Sequence, residues 1–156
     1  MNVKATAARQ YRAIVDRAAV SIGKQANLPG EGWIATARKA LGMSAAQLAR
    51  RLGVTRSRIS QAEQAELSGG VTLKTMHATA QAMGCRFVYA IVPIDGRIED
   101  IIVAQARKKA QALVGKASGH MALELQSLPE EKNRAEVERI TDDLVRTMSA
   151  DFWTSK

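Results

Sequence analysis

The sequence predicts a mainly α-helical protein: four short helices containing a helix-turn-helix, one β-strand after them, and helical extensions on both sides. Three observations carry this expectation. Apolar residues make up 46% of the chain and aromatic residues only 4%, so most of the bulk is Ala, Leu, Ile and Val, which suits close helix packing. Between Trp33 and Met83, short helical patterns follow one another with tight turns. The stretch "CRFVYAIVP", Cys85 to Pro93, is aromatic and β-branched and has strand character.

In chain order, residues 3–19 place Tyr11, Ile14, Val15 and Ala18 at i, i+3, i+4 and i+7, the stripe of an amphipathic helix. "GKQANLPGEG" breaks it with Gly and Pro. Four helical patterns follow: "WIATARKAL", "SAAQLARRL", "TRSRISQAEQAE" and "LKTMHATAQAM". Ser44 and Thr55 stand at the N-cap positions of the second and third, where a hydroxyl satisfies free backbone N–H groups. The strand is stopped by Pro93. A lone strand leaves its backbone unpaired, so the favoured expectation is a ladder with a second copy. An isolated extended segment, or pairing with residues near Asp95, are the alternatives. Residues 97–117 and 133–152 read as helices, with Gly115, Gly119 and Pro129 marking breaks. The expected divisions are an N-terminal helical extension 1–32, a helix-turn-helix domain 33–84, a dimerisation strand 85–94 and a C-terminal helical region 95–156.

The formal charge of +8 points to a polyanionic partner. Residues 1–32, 33–66, 67–119 and 120–156 carry net charges of +3, +4, +4 and −3, so the acidic last part implies a second surface with a second task. One Cys and two His exclude a disulfide within the chain and a zinc site of the usual kind, and no cofactor is expected. "FVYAIVPI" is far too short to span a bilayer, and a cytoplasmic protein is expected. Nothing resembles a nucleophile with its base or a phosphate-cradling loop, so no enzymatic activity is expected.

In "SAAQLARRLGVTRSRISQAEQ", Ala49 is the small residue at a helix crossing and Gly53 permits the turn. Leu48, Leu52, Val54 and Ile59 point inward. Arg56, Ser57, Arg58, Ser60 and Gln61 remain outside, a polar and cationic face fit for a major groove. An Arg pairs bidentately with guanine. Arg38, Lys39, Arg50 or Arg51, and Lys74 are candidates for phosphate. Residues 33–84 resemble the lambda-repressor-like (Xre) helix-turn-helix family. The resemblance implies base reading by Arg56, Ser57 and Gln61, with Arg58 on phosphate. Many members place a Gln directly after the cap of the second helix. Ala45 stands there in this chain, and Gln47 is the candidate replacement.

The strings "GWI", "ALGM", "VTL" and "VYAIVP" together narrow the resemblance to the mobile mystery protein A family, Xre-type proteins encoded beside a Fic-domain partner. It implies an antitoxin that represses its own operon as a homodimer on double-stranded operator DNA and restrains a Fic toxin, an enzyme that transfers AMP from ATP to proteins. Fic inhibitors carry a helical Ser or Thr, three residues, Glu, then Gly or Asn. The Glu pairs with an Arg that would otherwise hold the ATP γ-phosphate. The matching stretch is His120 to Leu125, with Glu124 as the inhibitory carboxylate and His120 replacing the hydroxyl. A second, weaker match is Ser127 to Glu131. Apart from the resemblance, a Glu among leucines is ordinarily solvated. His77 is expected to be a half-buried helix residue and Cys85 a small core residue. The alternative function is a plain Xre-type regulator whose C-terminal helices only dimerise or sense a ligand.

Overall fold

The computed structural model describes residues 3–23, 28–123 and 129–154. Among them lie helices α1 Val3–Ala18, α2 Gly32–Ala40, α3 Ala45–Leu52, α4 Arg56–Ser68, α5 Leu73–Ala82, α6 Ile98–Leu123 and α7 Glu130–Thr147, with a π-helical turn Ala19–Gly23 after α1. The chain divides into two compact units, Ile22–Ala90 and the pair Met1–Ser21 with Ile91–Lys156.

The Ile22–Ala90 unit closes around Ile34, Leu48, Ala49, Ile59, Met76 and Met83. Leu48 is wholly buried, and such burial contributes about 1.5–3 kcal/mol. Each of its middle helices starts on a hydroxyl: Ser44, Thr55 and Thr72 accept from the backbone N–H three residues on. The start of α2 is held differently. The carboxylate of Glu66, on α4, accepts from the N–H groups of Trp33 (2.6 Å) and Ile34 (2.9 Å). Gly32 makes this possible: its φ is +83°, and a Cβ there would lie 2.8 Å from the Glu66 carboxylate.

In the other unit α7 packs along α6, and fully buried Ala106 and Ala110 let helices approach closely. Ile102, Ala106 and Phe152 form the core, with Ile98, Leu144, Val145 and Met148 against it. α1 is tied to the start of α6. Asp16 accepts from the N–H of Ile98 (3.0 Å), and Arg12 pairs with Glu99. On α7, Arg139 bridges Glu136 and Asp143. Its hydrogen bond is the main cause holding the Glu136 carboxyl below the ordinary range, and Glu136 raises Arg139 in turn.

The expected β-strand is overturned: no strand occurs among the described residues, and 85–93 run without regular structure. A strand exists only where a second one ladders with it, and no described segment forms such a ladder with this one. Its aromatic residues serve packing instead. Phe87 lies on the core, stacks on Tyr89 at 5.6 Å and meets the His77 ring edge-on at 5.4 Å. Several smaller expectations also change. α6 continues through Gly115 and Gly119, since one helical Gly costs only about 1 kcal/mol relative to Ala. α7 ends at Thr147, where Met148 turns left-handed (φ 40°), and residues 149–154 fold back. Tyr11 and Ile14 are exposed, because the tethers through Arg12 and Asp16 set the rotation of α1. His77 and Cys85 are exposed rather than half-buried and buried.

Candidate nucleic-acid interface

α3 and α4 are positioned by a capping box and a left-handed Gly. Ser44 Oγ accepts from the Gln47 N–H (3.1 Å), and Gln47 Oε1 accepts from the Ser44 N–H (2.7 Å). Gly53 (φ 67°) turns the chain, and Thr55 caps α4. Ala49, 3% exposed, sits in the core between the helices. Leu48 and Ile59 are buried and Leu52 packs against them, as expected. Val54 is the exception, 39% exposed, because it stands in the turn beyond Gly53.

α4 advances about 100° per residue. Ser57, Gln61, Gln64 and Ser68 therefore form one outward ridge, and all four are exposed. Arg56 and Arg58, also exposed, flank the ridge at about 100° on opposite sides. Ile59, Ala62, Glu63 and Glu66 face the other way and are buried or half-buried. Gln64 escaped the reading of the sequence, although its spacing from Ser57 and Gln61, i+7 and i+3, was the available signal.

The inward carboxylates matter for the field of this face. Glu63 and Glu66 are the only acidic residues between 34 and 89, where eight Lys and Arg are found. Glu63 accepts from Arg38 Nε (2.8 Å), and Glu66 caps α2. Both negative charges are thus withdrawn from the outer surface of α4, which keeps its cations.

The other candidate cations separate by their partners. Arg38 is turned inward, to Glu63 and to the Met43 carbonyl (3.0 Å), leaving little of it exposed. Arg51 donates from Nε to the Ala82 carbonyl (2.6 Å), a contact within the fold. Arg50 beside it is exposed. With Gln47, Arg50 and Arg51 border a shallow notch, whose far side is Leu41, Gly42 and Met43. Gln47 spends its oxygen on the cap, which directs its amide donors outward. Lys39 is exposed and pairs with Glu31. Lys74 is exposed in the first turn of α5. His120 is exposed near the end of α6, and Glu124 lies outside the described residues.

A family model described as HTH_3, helix-turn-helix, matches residues 34–89. Residues 34–89 are a helix-turn-helix domain. No curated protein and no solved structure matches the chain. The matched family is the Xre-like helix-turn-helix, a DNA-binding domain. Its boundary at Tyr89 includes the Phe87–Tyr89 stack that the sequence assigned to a separate strand. Among the described residues no helix is long and apolar enough to cross a membrane.

Proposed function

We propose that this chain is a repressor-antitoxin of the cytoplasm: a homodimer that binds operator DNA through its helix-turn-helix domains and silences a Fic-type AMP-transferase through its C-terminal helical region. The outward face of α4 carries the DNA half of this reading: a polar ridge between two arginines, with both nearby carboxylates turned inward. Arg56, Ser57 and Gln61 read base edges. Gln47, Arg50, Arg58 and Lys74 hold phosphate, joined by Lys39 once DNA displaces Glu31. Arg38, engaged by Glu63 and Met43, serves the fold instead.

Two copies would engage half-sites about 34–36 Å apart, one turn of duplex. Support for the Fic partner comes from the combination of sequence strings shared with the mobile mystery protein A family and from the acidic residues 120–156, which phosphate would repel. Glu124 is the proposed inhibitory carboxylate, with exposed His120 one turn earlier in sequence.

The DNA half is tested by comparing binding to the chain's own promoter with binding to random duplex at fixed salt. Arg56→Ala should narrow the preference for the promoter by about 5- to 150-fold per copy, the worth of one bidentate base contact in each half-site. Lys39→Ala should weaken both duplexes alike and reduce the salt slope by about one unit per copy. An unchanged preference in Arg56→Ala would contradict the assignment of α4.

A further inference from the structure

The ridge of α4 continues three residues past Gln61, to a residue with no assigned task. We propose that Gln64 is a specificity-determining residue that, with Gln61, reads two neighbouring A·T pairs in each half-site. The inference rests on the DNA-binding function proposed above.

Both glutamines are exposed, and neither side chain hydrogen-bonds another described residue. They lie three residues apart, which sets them about 4.5 Å apart along the axis and about 60° around it. That advance is close to the roughly 3.4 Å step between base pairs. Two such side chains on a helix lying along the major groove therefore meet successive pairs rather than the same one.

The chemistry of the carboxamide chooses the base. Its oxygen accepts from adenine N6 while its NH2 donates to N7, a bidentate match that no other base edge offers in that order. Ser57 and Ser68, on the same ridge, are too short to specify much. Arg56 and Arg58, about 100° away on either flank, approach the groove from its sides and leave the centre to the glutamines. No carboxylate competes for the amide donors, since Glu63 and Glu66 are committed to Arg38 and to the start of α2.

The test is selection of preferred sites from a random duplex library by the full-length protein and three variants. The wild type should enrich adenine at two adjacent positions of each half-site. Gln61→Ala and Gln64→Ala should each lose the preference at one of the two, by about 5- to 150-fold, and keep the other. Gln64→Arg should convert its position from adenine to guanine. Identical selected sites for Gln64→Ala and wild type would overturn the proposal, as would a uniform loss across all duplexes, the mark of a phosphate contact. A wild-type protein that enriches no site at all would overturn the DNA-binding function itself, and this inference with it.

Discussion

Phe152→Ala is expected to lower the stability of the unit containing α6 and α7 by about 3–5 kcal/mol, the usual cost of emptying a core aromatic site. Phe152 is 1% exposed and lies against Ile102 and Ala106. The chain reaches this position by turning at Met148 and is then held there. Gln105 Nε2 donates to the Phe152 carbonyl (2.8 Å), and Lys109 donates to the Asp151 carbonyl. The Ser149 hydroxyl, more than the Lys109 ammonium, holds the Asp151 carboxyl below its ordinary value. With the anchoring contacts intact, the emptied site has little freedom to collapse, which favours the upper end of the range. Each unit carries one tryptophan, Trp33 or Trp153, so denaturation can be followed unit by unit. Trp153 meets the Phe152 ring edge-on at 4.9 Å and reports the site directly. In a Trp33→Phe background its transition should move by the amount stated. A shift below about 1 kcal/mol would show that the C-terminal turn is not part of the core.

Under the proposed antitoxin function, Glu124→Gly is expected to turn the silent complex with the Fic-type partner into an active one while leaving the complex assembled. If the carboxylate occupies the arginine that should hold the ATP γ-phosphate, its removal frees that arginine. Binding would persist, because affinity in such interfaces comes mainly from buried apolar and aromatic anchors rather than from one ion pair. The purified variant complex should then transfer AMP to the target protein, and the wild-type complex should not. Glu131→Gly, which removes an exposed residue in the first turn of α7, should stay silent and exclude the competing motif. An inactive Glu124→Gly complex beside an active free partner would place inhibition in steric cover or in another residue.

The features legible in the sequence are local ones. Ser44 and Thr55 announce themselves as caps, Ala49 and Gly53 as crossing and turn, and Leu48 and Ile59 as core, because each depends only on residues within a turn or two. What stayed hidden depends on distant partners. Arg38 reads as a surface cation until Glu63 is placed beside it, and spacing along one helix says nothing of its register against another. Asp16 reaches Ile98, 82 positions on, to hold the N-terminal helix to the C-terminal ones. Residues 85–94 were misjudged for the same reason. Composition marks a segment as extended and apolar, but a strand needs a neighbour, and here rings supply the packing without a ladder. Gln64 was missed differently: the outward ridge could have been followed one turn further along α4.

The most direct test of the central claim, that the outer face of the helix-turn-helix domain binds DNA through its exposed positive charge, is a salt titration of the wild-type protein on its own promoter and on random duplex. Arg50, Arg58, Lys74 and Lys39 are the four proposed phosphate-binding cations of each copy. Neutralising that many phosphates gives a slope of log K against log salt of about −7 for a dimer, across roughly 50 to 200 mM salt. Both duplexes should show nearly the same slope, with the promoter bound more tightly at every salt concentration. Binding that stays flat as salt rises, or no binding to either duplex at the low end, would contradict it.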